Sequence, residues 1–213
     1  MKAPFIEFGS GNGLENNTLI LIALGWSGIW VDSKDLQVLL DKKSSVKYWQ
    51  MWLDLDSIKG LIPILKKTNP SVISMDLDGN DFYFVKEILE NSVLPIIFIC
   101  EYNGSLAPNV EFEQSYNKTH IWDGSNYYGA SLKSYTNLFD SYGYTLVACN
   151  LTGANAYFIR NDHIDKFKDI SRITDELYVY PVSSIPSNQG LNNMKIIQEI
   201  LSNSHLPDML ITK

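Results

Sequence analysis

At 213 residues and 24.2 kDa, with 45% hydrophobic and 19% charged residues, the chain is sized for one domain spanning 1–213 that buries a central sheet between helices. Its net charge of -7 excludes an extended nucleic-acid surface, because neutralising a phosphate backbone requires clustered cations. The paired basic residues, Lys42-Lys43 and Lys66-Lys67, fall at expected helix C-termini, where they complement the dipole, and the two cysteines, Cys100 and Cys149, sit in separate apolar runs that exclude a disulfide framework.

The first residues run straight into a strand without the basic and apolar regions of a leader, and no apolar stretch is long enough to span a bilayer. A reducing, cytoplasmic location is therefore expected. Strand-length apolar runs then alternate with helical patterns, the signature of βαβ units and an α/β fold. The expected order is a strand over 4–8, helix 16–24, strand 28–31, helix 35–42, strand 46–52 and helix 56–67. Asp54 or Asp56 is available to cap that last helix, which contains Pro63. A strand over 72–76, helix 81–89 and strand 95–100 follow, and then the periodicity breaks over 104–128 into a long loop with room for a short strand at 110–113. A helix over 131–142 leads to strands at 144–149 and 156–160, joined by a link containing Gly153 that is short enough for a hairpin, so the last strand is antiparallel. The core thus occupies 3–160. The extension 161–213, irregular over 175–190 and amphipathic over 191–201, exceeds what the sheet requires and is free to pack against a partner such as a second copy.

In an open doubly wound sheet, ligands bind outside the carboxyl ends of the strands at the switch in strand order. That rule collects Gly9 to Gly13, Asp32, Asp54, Asp76 to Asp81 and Glu101 to Asn103. Gly9, Gly11 and Gly13 form a G-x-G-x-G loop behind Glu7, where missing side chains let backbone approach a ligand. A dinucleotide fingerprint would read G-x-G-x-x-G, and Leu14 occupies its last glycine, so the spacing favours S-adenosylmethionine over NAD. Asp32, closing the second strand 21 residues after Gly11, is placed to accept ribose hydroxyls.

Asp76, Asp78 and Asp81 concentrate carboxylates at one strand end, beside Glu101 and Asn103 at the next. Such crowding is costly unless a sulfonium, a divalent metal or a retained proton offsets it, and hard oxygen ligands suit Mg²⁺ or Mn²⁺. Asp81 is read instead as the cap of the following helix. His120, in the long loop, is a candidate base, and Trp122, Tyr127 and Tyr128 are candidate walls of an acceptor pocket.

With these residues in place, the chain resembles the FkbM-type methyltransferases, more closely a bacterial subgroup associated with cell-surface polysaccharide clusters. The resemblance runs from Ile6 to Arg160. It is carried by Glu7-Phe8-Gly9-Ser10-Gly11 with Glu15-Asn16-Asn17-Thr18, by Gly25-Trp26-Ser27-Gly28 and by Ser74-Met75-Asp76-Leu77-Asp78-Gly79-Asn80-Asp81. Three later blocks complete it: Glu101-Tyr102-Asn103, Tyr127-Tyr128-Gly129-Ala130-Ser131 and Gly153-Ala154-Asn155-Ala156-Tyr157-Phe158. It implies a seven-stranded, Rossmann-like sheet of the class I methyltransferases, mostly parallel, with helices on both faces. It also implies O-methylation as the usual activity; the expected acceptor is a sugar or phosphate-type oxygen of a capsule or lipopolysaccharide precursor, an identity the resemblance itself does not carry over.

The expected cofactor contacts are Glu7, Gly9, Ser10, Gly11, Gly13, Asn17, Asp32, Asp54 and Asp76, and the expected catalytic set is Asp76, Asp78, Glu101, Asn103 and His120. Asp78 stands where the wider family usually has Glu, so family roles there do not carry over directly. By analogy with metal-assisted catechol-type O-methyltransferases, Asp76, Glu101 and Asn103 form the expected metal set. The rival readings are an idle S-adenosylmethionine-binding regulatory subunit and an NAD-dependent oxidoreductase.

Overall fold

The computed structural model describes residues 4–11, 13, 16–35 and 45–181. Seven strands, β1 (Phe5–Phe8), β2 (Gly28–Asp32), β3 (Val46–Gln50), β4 (Val72–Met75), β5 (Ile97–Glu101), β6 (Tyr144–Cys149) and β7 (Asn155–Arg160), form one sheet in the order β3-β2-β1-β4-β5-β7-β6. Neighbours pair in parallel except where β7 runs antiparallel to β5 and β6. This is the expected Rossmann-like α/β sheet. The order reverses between β1 and β4, which opens a crevice above their carboxyl ends.

The central strands are buried on both faces, so Phe5-Ile6-Glu7-Phe8 and Val72-Ile73-Ser74-Met75 lack a polar side. Alternation sends Ile6, Phe8, Val31, Ile73, Met75, Phe98 and Cys100 into the larger core, shared with α2 (Leu55–Thr68), α3 (Asp81–Glu90) and α4 (Leu132–Ser141). Phe5, Trp30, Val72 and Ile99 face the other way, against Leu21 and Ile22 of α1 (Leu19–Ala23). Helices therefore cover both faces.

Asp54 caps α2 in a reciprocal box with Ser57, Asn69 ends it in the left-handed conformation, and Pro63 lies on its exposed side without interrupting it. The first helix is shorter than its expected span of 16–24, because the Asn17 and Thr18 amides bond the Glu7 carboxylate instead of opening a further turn. The strand expected at 110–113 reduces to one bridge between Glu113 and Ala130. Beyond β7 come a 3-10 segment, Asn161–Phe167, and a one-turn α5, Thr174–Leu177. The helices expected over 35–42 and 191–201 lie outside the described residues, apart from Asp35. Cys100 and Cys149 are unbridged, and among the described residues no helix is long and apolar enough to cross a membrane.

At Gly9 two chain segments meet. Its φ is +85°, and an added Cβ would lie 1.6 Å from the Asp76 carbonyl oxygen. Gly9→Ala is expected to cost at least about 2 kcal/mol, since backbone strain and a backbone clash act together. Urea denaturation of the two proteins measures it.

Candidate functional site

The crevice above β1 and β4 is a cavity of about 670 Å³. Its floor is the Gly9-Ser10-Gly11 loop, and its walls come from Asp32 to Lys34, Met51 to Leu53, Asp76 to Asp78, Asn80, Phe84 and His120 to Trp122. Four separate strand ends thus contribute to one opening.

Asp32 is 6% exposed and ties the loop to β2. The Gly11 amide donates to one of its oxygens at 2.7 Å and the Lys34 amide to the other at 2.8 Å. Each oxygen keeps a second acceptor position, because a carboxylate offers about four lone-pair sites. Ser10 is 3% exposed, and its hydroxyl has no hydrogen-bond partner among the described residues. Gly13 lies in the same loop, its amide donating to the Ser10 carbonyl oxygen at 3.0 Å.

Glu7 is placed beneath this loop, not in the cavity. Its carboxylate accepts the Asn17 amide at 2.8 Å, the Thr18 amide at 3.3 Å and the Thr18 hydroxyl, while Trp30 Nε1 donates to that hydroxyl oxygen at 3.0 Å. Burial pushes the Glu7 carboxyl above the usual carboxylate range, against the pull of these hydrogen bonds. The effect is to fix Asn17, whose side-chain amide donates to Ser74 Oγ and to Asp76.

Three acids converge above β4 and β5. Oxygens of Asp76, Asp78 and Glu101 all lie within 4.8 Å of one another, and the Asp78 amide donates to Glu101 at 3.2 Å. Burial and the neighbouring Asp78 push Asp76 up to about 6. Glu101 is raised well above its ordinary value by burial and by Asp76, Asp81 and Asp78. Asp78 is raised by burial too, although Lys34 and His120 oppose the shift. Its φ of +58° is strained for a residue with a side chain.

Asp81 does not cap its helix. Its carboxylate reaches back to accept the Leu77 amide at 2.7 Å and the Gly79 amide at 2.8 Å, so it holds the 77–79 turn that carries Asp78.

Several expected site residues stand elsewhere. Asn103 is fully buried, donates to the Asn126 and Tyr128 carbonyl oxygens at 2.7 and 3.0 Å, and accepts from the Ser105 amide at 3.2 Å. These bonds brace the loop. Asp78, outside the expected metal set, brings an oxygen within 4.8 Å of Asp76 and Glu101. Asp54 is spent on the α2 cap and on Lys118, whose Nζ is 3.3 Å away, and it does not line the cavity.

His120 does line it. Its Nε2 is 3.1 Å from the Asp78 carbonyl oxygen, and its ring fills the space that a Cβ on Gly79 would take. That bond requires hydrogen on Nε2, which makes Nδ1 the acceptor nitrogen of the neutral ring.

The His120 loop is pinned over the opening by bonds that have no sequence signature. Asn80 and Asn117 pair reciprocally at 2.8 and 3.1 Å, and the Leu55 amide donates to the Tyr116 hydroxyl at 3.1 Å. Trp52 Nε1 donates to the Lys118 carbonyl oxygen at 3.2 Å. Trp122 Nε1 donates to the Ser125 carbonyl oxygen at 2.8 Å, leaving a half-exposed ring at the rim. Lys34, Trp52 and Ile121 were not legible in the sequence, because only the strand register and this loop path bring them to the cavity.

No protein-family model and no curated protein matches the chain. Among solved structures, MycE methyltransferase from the mycinamycin biosynthetic pathway, in complex with Mg and SAH, aligns with 76% of this chain and 47% of its own at 14% identity and a TM-score of 0.45. An O-methyltransferase family protein from Burkholderia thailandensis aligns with 74% of this chain and 50% of its own at 8% identity and a TM-score of 0.42. The chain therefore spans about half the length of these structures.

The acid cluster sets a pH dependence. Burial pushes the Asp81 carboxyl up to about 7 from a model-compound value of 3.8, so the folded protein holds this proton more tightly than the unfolded chain. Stability from this group is complete at low pH and is lost as pH rises from about 4 through 7. Thermal melts of the metal-free protein across that range are expected to show the fall, and Asp81→Asn is expected to make it shallower, the remainder coming from Asp76, Asp78 and Glu101. An equal slope in both proteins would exclude the assignment.

Proposed function

We propose that the chain is an S-adenosylmethionine-dependent O-methyltransferase. The observation that carries this reading is one cavity joining a glycine loop and Asp32 to Asp76 and Asp78, with Glu101 bringing a third carboxylate within 4.8 Å of both. The glycine loop leaves room for a cofactor without a pyrophosphate, Asp32 retains an acceptor position on each oxygen for ribose hydroxyls, and the free Ser10 hydroxyl adds a hydrogen-bonding group. The bound cofactor would supply an electrophilic methyl group on a sulfonium. The chain's own work is to hold an acceptor oxygen in line with that methyl and to take its proton.

Asp76, Asp78 and Glu101 fit a hard divalent cation such as Mg²⁺ or Mn²⁺, since all three offer carboxylate oxygen at close range. Such a cation would lower the pKa of an acceptor hydroxyl. With a cation on the three acids, Nδ1 of His120 is the neighbouring group placed to accept the proton; without one, Asp76, raised to about 6 by burial and Asp78, takes that role. Both face the same cavity. The acceptor expected from the sequence is a sugar or phosphate-type oxygen of a cell-surface precursor, and the half-exposed rings of Trp52 and Trp122 offer such a molecule an apolar face.

Asp32→Ala is expected to weaken S-adenosylmethionine binding at least about tenfold by calorimetry, because two charge-assisted bonds shaping the loop vanish with it. Unchanged affinity would overturn the cofactor assignment. Asp76→Asn is expected to lower kcat at least about 100-fold in an acceptor screen with methyl-labelled cofactor, with cofactor affinity changed less than about threefold. Excess EDTA is expected to abolish turnover and Mn²⁺ to restore it; full turnover in EDTA would remove the metal from the reading.

A further inference from the structure

Asp76 is held by two amides from distant parts of the chain. Asn17 Nδ2 and Asn155 Nδ2 each lie 3.3 Å from its Oδ2, and Asn17 Nδ2 is 3.4 Å from Asn155 Oδ1. No comparable bond engages Oδ1 among the described residues.

The register explains how Asn155 arrives there. It opens β7 directly opposite Glu101 of β5, is 6% exposed, and closes the preceding turn with its own backbone. Its backbone N–H donates to Asn150 Oδ1 at 3.0 Å, and its carbonyl oxygen accepts the Asn150 N–H at 2.8 Å. The side chain is left for Asp76.

We infer that Asn155, together with Asn17, is a positioning residue that occupies Oδ2 of Asp76 and leaves Oδ1 for a divalent cation shared with Asp78 and Glu101. This rests on the metal reading given above. A neutral amide suits the place, because a cation there would compete with the metal and another carboxylate would add to the repulsion. Partners of this kind fix the direction of a ligating carboxylate, and their loss costs about 10- to 100-fold in metal affinity.

The test is Mn²⁺ titration of the full chain by calorimetry, with S-adenosylhomocysteine affinity and melting temperature read on the same samples. Asn155→Ala is expected to weaken Mn²⁺ binding about 10- to 100-fold and to leave S-adenosylhomocysteine affinity within about twofold. Asn150→Ala removes the side-chain acceptor of the turn without touching Asp76, and is expected to lower the melting temperature while Mn²⁺ affinity stays within about twofold. Asn17→Ala, on another element, is expected to reproduce the Mn²⁺ loss, and it decides the matter where Asn155→Ala fails to fold. Unchanged Mn²⁺ affinity in Asn155→Ala and Asn17→Ala, or an equal loss in Asn150→Ala, overturns the role while the metal reading stands. If the parent protein binds no Mn²⁺, the metal reading and this role fall together.

Discussion

Crowding of like charge at the carboxyl ends of β4 and β5 is the constraint around which the site is arranged. Asp76, Asp78 and Glu101 bring oxygens within 4.8 Å of one another, and Asp81 sits buried behind them. Ionising all of them at once in a half-buried crevice is unfavourable, so protons stay on or a cation enters. The surroundings moderate the cost with neutral donors: amides of Leu77 and Gly79 on Asp81, the Asp78 amide on Glu101, and side chains of Asn17 and Asn155 on Asp76. Lys34 is the nearby cation whose field reaches Asp78.

The backbone beneath the cluster is correspondingly exact in its spacing. Gly9 lets β1 and β4 connections touch, Asp78 adopts a left-handed turn that Asp81 holds from behind, and Gly79 leaves space for the His120 ring. Glu7 belongs to the same framework. It spends its carboxylate on the start of α1, which sets Asn17 at the height of Asp76.

The glycine-loop side and the acidic side of the crevice meet through the loop that carries His120. The loop is fastened to the β3–α2 connection through Trp52, Leu55 and Lys118, and to the β4–α3 connection through Asn80 and Asp78. A change at either connection is therefore felt at the rim, where Ile121 and Trp122 stand exposed. The pair Lys118–Asp54 lies near the surface, where ion pairs contribute at most about 1 kcal/mol, so the neutral bonds carry most of the fastening.

The sequence by itself determined the α/β class, the antiparallel last strand, the glycine loop and the place of Asp32. Each follows from signals that act over a few residues: apolar periodicity, a left-handed glycine, an acid at a strand end. It also marked Asp76, Asp78 and Glu101 as neighbours, because strand order places their ends side by side. Only the tertiary structure decided how the polar side chains were spent. Asn103 and Asp54 have the right residue type at the right strand ends, yet loop carbonyl oxygens claim the first and a helix terminus and Lys118 claim the second. Asn155, 79 residues from Asp76, reaches it through strand register alone. Local pattern sets where a chain turns and which face is apolar, whereas hydrogen-bond partners separated by tens of residues are chosen by the packed geometry, which no local pattern encodes.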